Sequence, residues 1–202
     1  KAIFRAQAFL RKNKYVLQCD IQKYFPSINH EVLFNIISRK IKDRKTLWLA
    51  KLVIDSAKGL KLLSDEEAKE NCFYNVDTTG MPIGNLTSQF FANLYLNELD
   101  YFVKFELMEK FYIRYMDDFL VFGNDNAHLC GIKERITYFL EHSLRLKLHR
   151  KKSVVFPTRL GVEFLGFRIF RDYRRLKKQN VKLFIKRMKA KKELFERGFL
   201  SI

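Results

Sequence analysis

The stretch Phe111-Tyr-Ile-Arg-Tyr-Met-Asp-Asp-Phe-Leu-Val-Phe-Gly123 decides how this chain is read. Two apolar runs rich in aromatic and β-branched residues flank two adjacent carboxylates, Asp117 and Asp118. Such runs read as strands, and the polar break between them as a hairpin turn. The hairpin lifts two negative charges to the end of an otherwise buried ribbon. Asp is a common turn residue, and an isolated pair would carry little weight. A second apolar run far upstream, Tyr15-Val-Leu-Gln-Cys-Asp20, also ends in a carboxylate. Gathering three carboxylates at strand ends is costly through like-charge repulsion unless a cation neutralises them. Oxygen-only ligands of high charge suit Mg²⁺, which binds through a few carboxylates plus substrate phosphates. That combination points to phosphoryl transfer by two metals.

Composition narrows the partners. The 202 residues are enough for one large domain, or one domain with a partial neighbour. Lys and Arg number 39 against 22 Asp and Glu, a formal charge of +17 that favours a polyanionic partner. No segment has the apolar length of a membrane span and no secretory leader opens the chain, so no membrane association is expected. Cys19, Cys72 and Cys130 lack metal-ligand spacing and leave an odd thiol, as in a reduced, cytoplasmic protein. Four scattered histidines argue against a zinc site. The chain opens at Lys1 without a Met, as a fragment or a renumbered chain would.

Outward from the hairpin, Lys1 to Asn13 reads as a basic amphipathic helix with Ile3, Phe4, Ala6, Phe9 and Leu10 on its apolar side. Beyond Asp20, Pro26 blocks a regular strand, and Asn29 is an N-cap candidate for a helix from His30 to about Ile41. A second helix covers Arg44 to Ala57, with Leu47, Trp48, Val53 and Ile54 available for packing. Residues 58–79 lose hydrophobic period and gather Asp65, Glu66, Glu67 and Glu70, as a surface excursion would. In Gly80-Met-Pro-Ile-Gly-Asn-Leu-Thr-Ser-Gln89 a fixed turn opens a long helix, from about Asn85 to Met108. Gly84 lacks a Cβ, so a base or sugar could approach the backbone there, and helix N–H groups nearby favour phosphate. Asn126 to Leu144 reads as a helix, Leu144 to His149 as a half-exposed strand, and Arg150 to Ser153 as a basic corner. Val162 to Ile169 forms a hairpin-like strand with a turn or bulge at Gly166. Arg171 to Lys192 is strongly basic, and from Val181 its apolar positions follow helical spacing. The order fits an α+β fold, an antiparallel sheet backed by helices.

With these residues in view, the chain resembles the reverse transcriptases. Tyr115-Met-Asp-Asp118 matches the family's catalytic hairpin. It stands in the family's order, after Asp20-x4-Phe25 and Gly84-x3-Ser88 and before Phe164-Leu-Gly166. The resemblance implies a right-hand polymerase palm, a ferredoxin-like antiparallel sheet backed by helices, with partial fingers over residues 1–170. It makes residues 171–202 a basic linker and the first helix of a truncated thumb, and it puts the forward fingers strands upstream of Lys1. It further implies that Asp20, Asp117 and Asp118, with the Ile21 carbonyl, hold two Mg²⁺ ions, for which Mn²⁺ can substitute. Phe25 takes the place of the steric gate that excludes a ribose 2′-hydroxyl. Lys152 matches the lysine facing the departing pyrophosphate, with Lys151 as its alternative. Phe164, Leu165 and Gly166 match the primer grip. The implied partners are template RNA, a primer or cDNA strand, and deoxynucleoside triphosphates.

One departure refines the resemblance. Most bacterial relatives carry Gln before Gly84 and Pro after Ser88, where this chain has Ile83 and Gln89. That form resembles reverse transcriptases of diversity-generating retroelements, which copy template RNA with frequent errors at adenines and work with a small basic accessory protein. Exchanging an amide for an aliphatic side chain beside the nascent pair removes a hydrogen-bonding group where geometry gates insertion. Group II intron, retron and antiphage enzymes share the fold and form the alternative. A non-catalytic RNA-binding module with a polymerase-like palm is a further alternative, although such a module has no need of three mutually repelling carboxylates.

Overall fold

Strand alternation positions everything that follows. In the computed structural model, which describes residues 1–60, 62–64, 66–67 and 73–197, the first strand is β1 (Tyr15–Asp20). Its successive side chains face opposite ways. Leu17 and Cys19 enter a large core, while Val16 enters a smaller one on the other face. The hairpin strands β2 (Tyr112–Tyr115) and β3 (Asp118–Gly123) repeat the division. Tyr112, Phe119 and Val121 belong to the large core, and Ile113, Leu120 and Phe122 to the small one. With β4 (Val154–Pro157) these strands form an antiparallel sheet ordered β2-β3-β1-β4, the ferredoxin-like order.

Helices accompany the sheet, and part of them cover its large-core face. They are α1 (Ala2–Lys12), α2 (Tyr24–Ser27), α3 (His30–Lys40), α4 (Arg44–Asp55), α5 (Leu86–Tyr101), α6 (Asn126–Ser143) and α7 (Lys178–Glu196), of which α3 to α6 line that core. Helix α1 packs instead on the small core. The expected cap at Asn29 is present, its Oδ1 accepting from Val32 N at 3.0 Å, and Asp43 caps α4 through Thr46 N at 2.7 Å. A second antiparallel sheet, β5 (Val162–Phe164), β6 (Phe167–Ile169) and β7 (Arg174–Leu176), closes the small core through Val162, Phe164 and Ile169. Full burial of such side chains contributes roughly 1.5–3 kcal/mol each. No helix among the described residues is long and apolar enough to cross a membrane.

Several expectations need correction. Leu144 to His149 is not a strand: Arg145 sits at φ +51°, which turns the chain, and only Leu148 bridges across, to Ile21. Leu144, Leu146 and Leu148 are all buried, so their alternation reported burial and not a ladder. The strand beside β1 is β4, whose terminal Pro157 suits a sheet edge. Trp48 points to solvent, 66% exposed, and Ala50 and Ile54 make the inward face of α4. Phe4 is also exposed, with the Arg174 guanidinium 4.3 Å above its ring. Helix α5 stops at Tyr101 and widens into a π-helical turn over Phe102–Glu106. Tyr24–Ser27 forms a short helix around Pro26, and β7 is an extra strand in the basic segment. Asp65, Glu70 and Cys72 lie outside the described residues; Glu67 pairs with Lys23. Cys19 is buried and its thiol is pushed up to about 12 by burial, while Cys130 is exposed.

Candidate active site

The register of β1 on β3 sets Asp20 directly opposite Asp118. By strand parity both lie on the face of Val16, Leu120 and Phe122, where the second sheet docks. Asp117 occupies the two-residue turn closed by the Tyr115–Asp118 pair. The three carboxylates repel. Burial, then the charges of Asp20 and Asp117, push Asp118 up to about 7, and burial followed by Asp20 raises Asp117. Asp118 Oδ1 is buried and has no hydrogen-bond partner among the described residues. Lys152 Nζ sits 2.8 Å from Asp20 Oδ2, a protein cation lying where the cluster calls for positive charge.

Ile21 continues β1 beyond Asp20. Gln22 N donates to Lys147 O at 2.8 Å and His149 N to Asp20 O at 2.8 Å, on either side of the Ile21–Leu148 bridge. Those bonds face the β4 side, so the Ile21 carbonyl points to the other side, that of the hairpin. Opposite the carboxylates stands the tip of the β5–β6 hairpin, Leu165 and Gly166, at φ +51° and +79°. A Cβ on Gly166 would lie 2.9 Å from Asn180 Nδ2, and its carbonyl accepts from Lys177 N at 2.9 Å, which ties α7 to the tip. Gln18 Nε2 donates to Glu163 O at 2.9 Å and docks this hairpin on β1. Asp20, Asp118, Lys152, Phe164, Leu165 and Gly166 thus line one open cleft of about 440 Å³.

The remaining sequence candidates do not line this cleft. Phe25 is half-buried on α2, its ring edge-on to Tyr24 at 5.6 Å, and its carbonyl accepts from Met81 N at 2.9 Å. Ile83 is 77% exposed, and Gly84 has φ +108° with open space where a Cβ would stand. Gln89, on the first turn of α5, shares a second cleft with Arg114, Tyr115 and Met116.

A support that sequence reading missed lies behind the hairpin turn. Met116 adopts φ +56°, a conformation that costs a side-chain-bearing residue about 1–3 kcal/mol. Its carbonyl accepts from Arg114 Nη1 at 2.9 Å. Arg114 is held by a two-pronged pair with Asp100 on α5, at 2.8 and 2.6 Å, and Tyr112 OH donates to the same carboxylate at 2.7 Å. Burial opposes the Arg114 charge, but Asp100 outweighs it and raises the guanidinium above its ordinary value. Asn93 adds a contact to Arg114 at 3.3 Å. The signal was present as one charged residue inside an apolar run.

Among the described residues no group of three or more His, Cys, Asp or Glu side chains is placed to hold a metal ion. What fits a divalent cation is the donor set: oxygen only, highly charged, one oxygen orphaned and one already on a cation.

Comparison with known proteins shows the family. Residues 3–169 match the family model described as reverse transcriptase (RNA-dependent DNA polymerase). The group II intron-encoded protein LtrA of Lactococcus lactis subsp. cremoris is 24% identical over 77% of this chain and 35% of its own length. Protein YkfC of Escherichia coli (strain K12) is 24% identical over 89% of this chain and 53% of its own. This chain therefore spans from about a third to just over a half of those relatives' length. Telomerase of Candida tropicalis, solved with a fragment of telomeric RNA, superposes with a TM-score of 0.58 at 16% identity, over 87% of this chain and 32% of that one. The facing carboxylates of β1 and the β2–β3 hairpin and the family match over most of the sequence have one reading: this chain belongs to the reverse transcriptase family.

Proposed function

We propose that the protein extends a primer on an RNA template, joining deoxynucleotides by two-metal nucleotidyl transfer. The observation that carries this is Asp20 facing Asp118 in an open cleft, with an orphaned carboxylate oxygen and the β5–β6 tip opposite. Two Mg²⁺ ions there would acidify the primer 3′-hydroxyl and neutralise the triphosphate. Asp20, Asp117, Asp118 and the Ile21 carbonyl are the groups to hold them. Lys152 would exchange Asp20 for the leaving pyrophosphate, to which it can give charge or a proton. Leu165 and Gly166 would steady the primer end. The test is extension of a primed RNA with Mg²⁺ and each deoxynucleotide, set against an Asp117→Ala, Asp118→Ala control. Equal extension by both proteins refutes the assignment.

Phe25 serves in this reading as the gate against ribonucleotides. Phe25→Ala is expected to narrow the preference for dNTP over rNTP by about 10-fold or more, as removing a steric block does. An unchanged kcat/KM ratio for the two sugars makes Phe25 a core residue instead.

We further assign the enzyme to the error-prone, diversity-generating type that works with a small basic accessory protein. Support comes from Ile83 and Gln89, both exposed at the entry of α5 and free to meet a nascent pair. Ile83→Gln is expected to lower misincorporation opposite template adenine several-fold with little change in kcat. Sequenced products with the same adenine error rate turn the assignment toward the group II intron type, which the likeness to LtrA favours.

A further inference from the structure

A cavity of about 710 Å³ has none of the three carboxylates Asp20, Asp117 and Asp118 in its lining. It opens between α6 and the segment from Lys147 to Ser153, beside the edge of the sheet. Cys19, on the large-core face of β1, feels the Lys133 charge and hydrogen-bonds Ser153. The carboxylates Asp20 and Asp118 belong to the opposite face.

Three cations converge on this cavity: Lys133 from α6, and Lys147 and Arg150 from the segment opposite. Lys133 and Lys147 are half-buried. Among the described residues none of the three has a carboxylate within ion-pair distance, although Glu141 shares the wall. Lys147 lies 5.5 Å from the centre of the Phe73 ring. Holding like charges together in a concave, partly desolvated place costs free energy that a bound anion returns. Thr137 and Ser153 add hydroxyls to the wall, and Gln22 an amide. Mixed cations and neutral hydrogen-bonding groups of this kind grip phosphate oxygens.

We propose that this cavity is a second nucleic-acid site, which takes backbone phosphates of RNA outside the catalytic cleft. The choice of RNA over another polyanion rests on the polymerase reading above. Phosphate is the shared chemistry; free polyphosphates are the other source of it. The site reaches the reaction through one turn, because Arg150 and Lys152 share it and Lys152 holds Asp20.

The experiment measures binding of an unprimed RNA hairpin to the intact protein across a salt series. The parent is compared with Lys133→Ala/Lys147→Ala/Arg150→Ala and with a control of equal charge loss, Lys40→Ala/Lys42→Ala/Lys45→Ala, on the exposed end of α3, the turn after it and the start of α4. Each phosphate contact removed lowers the slope of log K against log salt by roughly 0.7–0.9, so the cavity variant is expected to lose about 2 from the slope. Its Kd should weaken by about tenfold or more, with the control close to the parent. Primer extension at saturating template should persist in the cavity variant, which separates this proposal from the polymerase assignment. Equal losses in both variants, or none in either, overturn it in favour of diffuse charge. Displacement of the hairpin from the parent by stoichiometric pyrophosphate, but not from the cavity variant, overturns the RNA assignment and makes the cavity a site for free polyphosphate.

Discussion

Replacing Asp117 and Asp118 together by alanine is expected to cut primer extension on RNA by about 10³-fold or more, while the protein melts later than the parent at mildly alkaline pH. The first effect follows from the role proposed for the pair: charge stabilisation through metal ions contributes several kcal/mol, at a factor of ten per 1.36 kcal/mol. The second follows from the cost of the cluster itself. Asp118 has its folded-state pKa raised from 3.8 to about 7. The stability that accompanies its protonated form is complete below pH 3.8 and is lost as pH rises through about 7. Above that range the fold carries an ionised, half-buried carboxylate beside two others. The full shift corresponds to about 4 kcal/mol, and contact with water reduces the recoverable part to about 1–2 kcal/mol. Melting curves over that pH range therefore check the same variant twice. Its advantage should grow from acid to alkaline pH and shrink when Mg²⁺ is added to the parent. A variant that loses activity and also melts earlier at every pH has lost its fold, and its inactivity then says nothing about metal.

How much of this was legible depends on what each residue's neighbours are. The two carboxylate strands were readable because a run such as Phe119 to Phe122, wholly buried on two faces, leaves an Asp at its end no apolar alternative. Asn29 announced its helix because capping is a local interaction. The docking of Phe164 to Gly166 over the carboxylates was not legible, since Gln18 to Glu163 is a contact between residues 145 positions apart. Leu144 to Leu148 deceived because burial with period two does not require a partner strand; the left-handed Arg145 decides otherwise. Trp48 deceived in the opposite sense, because the width of the helical face that packs is set by neighbouring helices and not by α4 itself. The cavity cations were visible only as part of a net charge. Their convergence needs α6 laid beside Lys147 to Ser153, which no local pattern encodes.

Arg114 is where a long-range contact bears most directly on the reaction, and removing its clamp is expected to lower kcat about 10–100-fold with KM nearly unchanged. Arg114 and Asp100 are 11% and 27% exposed, so deleting one alone leaves a poorly solvated charge and destabilises the fold by about 3–5 kcal/mol. The informative variant therefore removes both charges, as Arg114→Met with Asp100→Asn. Asparagine keeps an acceptor for Tyr112 OH, and methionine keeps the apolar stem of Arg114 in place. What disappears is the donor that holds the Met116 carbonyl, and with it the restraint on a left-handed residue next to Asp117. Released, the turn is free to relax toward a less costly backbone and to carry Asp117 with it. A displacement of about 1 Å in a reacting constellation is enough for a hundredfold loss. Because the clamp lies outside the carboxylate cleft, template and nucleotide KM should stay within about threefold of the parent, and a higher Mg²⁺ concentration should be needed for half-maximal rate. Arg114→Lys, which keeps the charge but offers no planar fork, should fall between the two. Full activity of the double variant at the parent's Mg²⁺ requirement would show that the turn holds its geometry unaided, and that the Arg114–Asp100 pair serves packing alone.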